Sequence, residues 1–394
     1  MIHDPFLTVL ILAAVELLVL GVSSRPGLKR YFSFLPPVFW IYFLPMLLST
    51  CGLLDPKNPV YSLISAYFLP ASLALLLLSS DIRAIVRLGP QALTMMLAGS
   101  AGIMLGTAAV VIALGRGLGP QSWAGFGSLS ASWIGGSANM IAVKEALSTP
   151  DAVFTPMVVV DTIVPYTWMG VLIALAGMQA VFDRWNRADA GILSDLAARV
   201  NVNTELKNRD RNHLFGRTGV FLAIAGIAVG GMILSRWLSG LLPEIPNVLS
   251  RYAWMIISVS VIGIALSFTP ARSLGKSGAT DIGYYLLYFV LTSIGAKASI
   301  ERLGGTLTLI AAGFLIVLIH ALVLLAAARI VRAPLFLVAT ASQANIGGVA
   351  SAPVVAATYQ PGLASVGLLL AILGNIMGTY LGIITGHLCR LFMV

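Results

Sequence analysis

Residues 132 to 140 read Ser-Trp-Ile-Gly-Gly-Ser-Ala-Asn-Met, and residues 342 to 351 read Ser-Gln-Ala-Asn-Ile-Gly-Gly-Val-Ala-Ser. Each stretch lies inside a long apolar segment and carries a glycine pair with an asparagine close by. A glycine destabilises a helix by roughly 1 kcal/mol relative to alanine, so each pair predicts a helix break. A break inside a bilayer frees N–H and C=O groups, which is tolerated only beside a cavity or within protein. The two stretches therefore predict two interrupted membrane helices.

The composition of the chain supports a membrane location. Of its 394 residues, 58% are hydrophobic and only 10% are charged, whereas a soluble domain is about a quarter charged. This composition argues against a water-soluble enzyme. The pattern also lacks the alternating segments of about 10 residues that a membrane barrel requires. Apolar segments, which predict helices, fall near residues 5–22, 35–53, 59–80, 91–115, 121–148, 152–178, 218–241, 248–268, 281–298, 304–328, 334–358 and 362–388.

Three short islands recur in the two halves of the chain, at an offset of 212 to 215 residues. The island at 85–89 recurs at 300–304, the glycine pair at 135–136 recurs at 347–348, and residues 161–166 align with 374–379. Internal repeats of this kind are typical of secondary transporters. We predict a first membrane repeat at 1–178 with its broken segment at 121–148, and a second at 218–394 with its broken segment at 334–358. A cytoplasmic linker at 179–217, with a short amphipathic helix at 188–200, joins them.

The basic residues predict the orientation of the repeats. If both broken segments are re-entrant hairpins, the chain has ten spans, both termini are periplasmic, and most Lys and Arg residues lie in cytoplasmic loops, as membrane orientation requires. The alternative is a broken helix that crosses the membrane. We predict an all-α polytopic membrane protein with two inverted repeats of about five transmembrane helices each. Its N-terminal segment reads as a retained span, and its expected location is the bacterial inner membrane.

A broken membrane helix is a candidate binding site because its carbonyls can coordinate a cation and its half-helix N-terminus can hold an anion. The alternative is that the small residues only permit tight helix packing. The candidate residues for substrate or ion binding are Gly135, Gly136, Ser137, Asn139, Asp161, Thr162, Gln343, Asn345, Gly347, Gly348, Ser351 and Asn375. The candidate sodium ligands among them are Asn139, Asp161 and Asn345.

Asp161 is a candidate because a charged group at bilayer depth costs roughly 2.5–3.5 kcal/mol on insertion scales. It could bind sodium or carry a proton, while a salt bridge or a place near the membrane surface is the plainer interpretation. Lys144 could meet a substrate carboxylate, or its chain could extend to the membrane interface. His320, alone on an apolar helix, is expected to be a core histidine with satisfied hydrogen bonds.

The motif Trp133-Ile-Gly-Gly-Ser-Ala-Asn139 and its counterpart Ala344-Asn-Ile-Gly-Gly348 resemble the membrane family catalogued as domain of unknown function 819, over essentially the whole chain. More distantly, the chain resembles the bacterial glutamate:sodium and citrate:sodium symporters of the cation:proton antiporter and anion transporter superfamily. That distant resemblance implies a homodimer, inverted five-helix repeats, and glycine-rich tips that meet near the midplane. It also implies sodium-coupled uptake of small organic anions by an elevator-type motion.

The sequence thus predicts a secondary active transporter, sodium-coupled, that moves a small anionic or zwitterionic organic solute by elevator-type alternating access. The alternative is a cation:proton antiporter that uses Asp161 as its proton carrier. An enzyme is not expected, since the chain carries no HExxH or GxSxG motif. We expect no cofactor other than sodium as coupling ion. The expected partners are the solute, the lipid bilayer and a second copy of the chain, and not nucleic acid.

Overall fold

The computed structural model of this protein describes residues 1–28, 31–32, 37–119, 121–188, 191, 196, 217–245, 249–298 and 306–393. Within these ranges the chain is helical, without a β-sheet, and the all-α prediction is confirmed. The α-helices in chain order are α1 (Pro5–Ser23), α2 (Pro37–Thr50), α3 (Val60–Leu78), α4 (Ile82–Val86), α5 (Pro90–Leu114), α6 (Ser122–Gly135), α7 (Ser137–Ala146), α8 (Asp151–Ala174), α9 (Gln179–Asn186), α10 (Arg217–Leu241), α11 (Arg251–Ser267), α12 (Ala279–Lys297), α13 (Thr306–Val331), α14 (Leu335–Ile346), α15 (Gly348–Tyr359) and α16 (Ala364–Leu391).

Many of these helices are long and apolar enough to cross a membrane. Seven spans of the described chain meet that requirement, and an eighth is formed if α11 and the 3₁₀ helix Pro270–Ser277, bent by 99° at their junction, count as one. A bilayer core about 30 Å thick needs about 20 apolar residues in a helix. The protein is therefore an integral membrane protein with several transmembrane helices. The ten-span count and the inverted orientation of the repeats stay predictions, as does the amphipathic helix at 188–200, most of which lies outside the described residues.

The chain forms two compact units, and each takes residues from both halves of the sequence. The first unit comprises Met1–Ser79, Lys144–Thr162 and Phe221–Leu309, and the second comprises Ser80–Val143, Ile163–Val220 and Ile310–Val394. These two units do not coincide with the two repeats and the linker predicted from the sequence. That division into repeats stays a prediction.

In the first unit, α12 packs against α2 and α3, α11 packs against α3, and α1 lies on α2 and α12. Small residues allow these helices to approach closely. In a bilayer the hydrophobic effect does not drive helices together, so tight packing at small residues is the usual source of their association. A Cβ atom on Gly295 of α12 would overlap the backbone carbonyl of Tyr42 in α2, and one on Gly263 of α11 would lie 2.9 Å from Cβ of Leu77 in α3.

Lys144 is buried in the first unit, with 4% of its surface exposed. Its ammonium group lies 3.1 Å from Oδ1 of Asp151 and 3.3 Å from Oε1 of Glu145, and 5.5 Å from the ring centre of Phe154. The side chain is therefore enclosed by protein, and its depth relative to the membrane interface stays a prediction. Its charge is balanced by two carboxylates of its own unit, so the structure gives no support to a role in binding a substrate carboxylate.

In the second unit, α16 packs along α6 and also contacts α5, α14 and α15. The contact with α6 runs along glycines spaced four residues apart, at positions 374, 378 and 382 of α16. A Cβ atom on Gly374 would overlap the carbonyl oxygen of Ile134, and one on Gly378 would lie 2.8 Å from Cα of Gly135. The first broken helix is thus held against α16 at backbone-to-backbone distance.

The first residues of the predicted linker form α9, which packs against the start of α14. Nδ2 of Asn186 donates to the carbonyl oxygens of Ala328 (3.0 Å) and Ala333 (2.7 Å). Oδ1 of Asp183 accepts the backbone N–H of Leu335, the first residue of α14, at 2.7 Å. The carboxylate therefore caps the N-terminus of a helix that begins more than 150 residues later in the chain.

We expect Asp183→Ala to destabilise the second unit by about 1 kcal/mol, the usual cost of removing a helix N-cap. The melting temperature of the purified protein in detergent measures this effect. Asp281→Ala is the matched control, since Asp281 lies in the first turn of α12, whose start has no side-chain cap. If the two variants melt at the same temperature, the hydrogen bond between Asp183 and the N-terminus of α14 does not contribute measurably to the stability of the protein.

Candidate functional site

Both predicted helix breaks are present in the second unit. α6 ends at Gly135 and α7 starts at Ser137, with Gly136 between them at φ +85°. α14 ends at Ile346, and Gly348 at the start of α15 has φ +63°. Only glycine adopts such positive φ angles readily, so the second glycine of each pair provides the backbone conformation at the break. Whether these segments re-enter or cross the membrane stays a prediction.

The two breaks lie side by side. A Cβ atom built on Gly348 would lie 3.9 Å from Cα of Gly136, and one built on Gly136 would lie 3.4 Å from Oδ1 of Asn375 in α16. The surface around this meeting point is half-buried rather than sealed, at Gly136, Ser137, Ala138, Gly347 and Asn375. The two half-helices α7 and α15 therefore both start beside this half-buried surface.

Asn139, on the first turns of α7, holds the first break against α16. Its Nδ2 donates to the carbonyl oxygens of Gly135 (2.6 Å) and Asn375 (3.2 Å), and its Oδ1 accepts from the hydroxyl of Thr379 at 2.5 Å. Both amide protons and the amide oxygen are thus used within the protein. The side chain is 3% exposed, so these bonds account for a buried polar group fully.

Asn345 holds the second broken helix against α5 in a comparable way. Its Oδ1 accepts from the hydroxyl of Ser100 at 2.8 Å, and its Nδ2 donates to the carbonyl oxygen of Ala341 at 3.0 Å and lies near Met96. Each of the two asparagines predicted as sodium ligands therefore has an oxygen that already accepts a hydrogen bond. These hydrogen bonds give both asparagines a structural role, because each side chain joins a broken helix to a neighbouring helix.

Gln343 and Ser351 face each other across the second break. Nε2 of Gln343 donates to Oγ of Ser351 at 2.7 Å, and a Cβ atom on Gly347 would overlap both side chains. The first glycine of each pair therefore gives room to a polar side chain four residues later, since a Cβ atom on Gly135 would likewise overlap Asn139. This correspondence explains why both breaks need two glycines rather than one.

Three buried polar atoms near the breaks have no hydrogen-bond partner among the described residues. They are Nε1 of Trp133, Oγ1 of Thr340 and Oε1 of Gln343. Leaving such an atom unpaired costs about 1–3 kcal/mol, and each instance needs an explanation. Sequence reasoning missed Trp133 and Thr340 as site residues. Their proximity to the glycine pairs was the available signal, but whether a side chain finds a partner depends on the packed structure.

His320 of α13 connects four helices through a fully satisfied chain of hydrogen bonds. Because the carbonyl of Gly99 in α5 can only accept, Nδ1 carries the proton and donates to it at 2.8 Å. Nε2 then accepts from the hydroxyl of Ser342 in α14 at 2.9 Å, and that hydroxyl accepts from Nε1 of Trp168 at 2.8 Å. The interpretation of His320 as a satisfied core histidine agrees with this geometry.

The structure places the predicted site residues in two groups. Ten of the twelve belong to the second unit and surround its breaks, whereas Asp161 and Thr162 belong to the first unit. Asp161 is half-buried in α8, and the hydroxyl of Thr162 donates to the carbonyl of Val158 at 2.9 Å. The proposed cation role of Asp161 therefore stays a prediction that is separate from the geometry of the paired breaks.

Comparison with known proteins agrees with a membrane protein of this kind. Residues 9–392 match the model of a family described as "Protein of unknown function (DUF819)". The chain is also similar to "Uncharacterized membrane protein YjcL" of Bacillus subtilis (strain 168), with 25% identity over 352 residues that cover 87% of each protein. The match extends through both broken helices and nearly all of the two units, so this chain belongs to the DUF819 family.

Proposed function

We propose that this protein is a secondary active transporter whose solute binds at the paired helix breaks of the second unit. The observation that carries the proposal is the approach of the two breaks, where a Cβ on Gly348 would lie 3.9 Å from Cα of Gly136. Interrupted helices cost stability in a bilayer and are tolerated where they form a binding site for solute or ion. Two of them meeting at one half-buried surface favour a shared site.

The solute that fits this surface best carries an anionic group. The first N–H groups of α7 and α15 have no partner within their own helices, and a helix N-terminus carries about half a positive charge. α15 starts without a side-chain cap, so its N–H groups are available to a ligand. We propose a small organic anion or zwitterion, moved by an elevator-type motion and coupled to sodium.

Alternating access can be tested without knowledge of the solute. Ala138 is half-buried in the first turn of α7 and is replaced by cysteine in a background in which Cys51 and Cys389 are replaced by serine and alanine. We expect a membrane-impermeant maleimide to modify residue 138 in both right-side-out and inside-out vesicles, because a transporter exposes its site to each side in turn. Modification is measured by gel shift or mass spectrometry.

Cys51 supplies the matched control. It is exposed in the loop after α2, so a variant that keeps Cys51 and lacks Cys389 should react from one side only. If residue 138 also reacts from one side only, with and without sodium, alternating access at the breaks is contradicted. Sodium-driven uptake of radiolabelled L-glutamate, citrate and glycine into proteoliposomes then identifies the charge class of the solute.

A further inference from the structure

Two unpaired oxygens lie one turn apart on α14. Thr340 is fully buried, and its Oγ1 has no hydrogen-bond partner among the described residues. Gln343 is 1% exposed, and its Oε1 has no partner there either, although its Nε2 donates to Ser351. A threonine in a helix ordinarily satisfies its hydroxyl by donating to the carbonyl four residues earlier. Such a bond is present at Thr385 of α16, whose hydroxyl donates to Leu381. Thr340 lacks this bond, so its hydroxyl oxygen is open to a ligand.

The two oxygens share one face of α14. Residues three and four apart on a helix are neighbours, so Thr340, Gln343 and the position of Gly347 follow one another along a single face. Ser342 and Asn345, which bond to His320 and Ser100, lie on the opposite face. The first face thus presents two oxygens that nothing in the described protein uses, while the second face is fully bonded to its neighbours.

The local charge favours a cation at this place. α14 ends three residues after Gln343, and the C-terminal end of a helix carries about half a negative charge together with carbonyls that lack partners in the helix. The described residues of the second unit include two carboxylates, Asp81 and Asp183, and each accepts a backbone N–H at the start of a helix. A divalent cation requires several carboxylate ligands, so neutral oxygens alone suit a monovalent one.

We propose that Oγ1 of Thr340 and Oε1 of Gln343 bind a monovalent cation, sodium, on the face of α14 that runs from the middle of the helix to its last turn. The site lies next to the second break and would supply the coupling ion, so its meaning for transport rests on the proposed function. It differs from the sodium site predicted from the sequence on Asn139, Asp161 and Asn345. A bound cation would satisfy two buried oxygens at once and stabilise the interrupted end of α14.

The purified protein in detergent tests the site with the ion alone. Melting temperature is followed as sodium chloride replaces choline chloride at constant ionic strength, and binding of radioactive ²²Na is measured directly by scintillation proximity. We expect a saturable rise in melting temperature for the unmodified protein. Thr340→Val and Gln343→Leu should each weaken the apparent affinity for sodium by about tenfold or more, whereas Thr385→Val, a buried threonine with a satisfied hydroxyl, should not change it.

A gain-of-affinity variant keeps the test decisive if Thr340→Val or Gln343→Leu does not fold. Gln343→Glu puts a carboxylate at nearly the same place, and we expect sodium to bind about tenfold more tightly to it. No sodium-specific effect in the unmodified protein would overturn the proposal. Loss of binding in Asn345→Ala together with full binding in Thr340→Val would overturn it too. Neither result affects the labelling of residue 138, so this site and the transporter proposal fail independently.

Discussion

Replacing Gly374 with alanine is expected to lower the melting temperature of the detergent-solubilised protein strongly, by an effect of about 3 kcal/mol on stability. The added Cβ would overlap the carbonyl oxygen of Ile134 and lie 2.8 Å from Cε of Met96. A methionine end can move, but the carbonyl belongs to the backbone of α6, just before the first break. Adding a methyl group to a tightly packed core typically costs 1–3 kcal/mol, and backbone contact places this substitution at the upper end.

Gly170→Ala is the matched control for this prediction. Gly170 is also a helical glycine of the second unit, but a Cβ there would meet no atom within 4 Å. Alanine is the better helix former by about 1 kcal/mol, so this variant should melt at the same temperature as the unmodified protein or slightly higher. Equal melting temperatures for Gly374→Ala and Gly170→Ala would show that α16 does not depend on its glycines to pack against α6.

The second large effect is expected at Asn139. Asn139→Ala removes three hydrogen bonds and leaves the hydroxyl of Thr379 without its acceptor on Asn139. Unpaired buried polar groups cost about 1–3 kcal/mol each, so we expect a total loss of about 2–4 kcal/mol and a clear fall in melting temperature. Ion-dependent transport should also be lost, since α7 is no longer held against α16 at the break, while membrane insertion should persist.

A double-mutant cycle separates the bond between Asn139 and Thr379 from general damage. Thr379→Val and Asn139→Ala are combined, and the stability losses should be less than additive by about 1 kcal/mol or more, because both single variants break the same hydrogen bond. Thr385→Val on the same helix serves as the control partner, and its effect should add to that of Asn139→Ala. Additive losses for the Asn139 and Thr379 pair would mean that the bond contributes nothing measurable.

Much of the fold was accessible from local sequence. The length of the apolar segments indicated membrane helices, and the glycine pairs indicated breaks at residues 135–136 and 347–348, where the structure has them. Both properties depend on the chain within about one or two helical turns. The α9 helix was missed, because its residues look like a polar linker and its function as a cap appears only when Asp183 meets Leu335.

In the predicted sequence repeat, Asp161 aligns with Gly374, so the two positions can be compared. From the alignment alone, the missing carboxylate in the second repeat has no explanation. In the structure, position 374 faces the backbone of α6 and has no space for any side chain. Packing against α6 therefore leaves no room for a carboxylate at position 374, the position that aligns with Asp161 in the predicted second repeat.

The candidate site shows where local reasoning stops. That glycine pairs would interrupt two helices follows from backbone freedom, a property of the residues themselves, and the polar residues near each pair could be named in advance. Which of those residues are satisfied and which remain open depends on partners far away in the chain. Asn139 is bonded to residues 236 and 240 positions later, whereas Thr340 and Gln343 each keep an oxygen that no partner reaches within the part of the chain that the structure describes. Hydrogen-bond satisfaction is set by the neighbours that folding brings, so the distinction between a structural asparagine and an open ligand exists only in the folded protein.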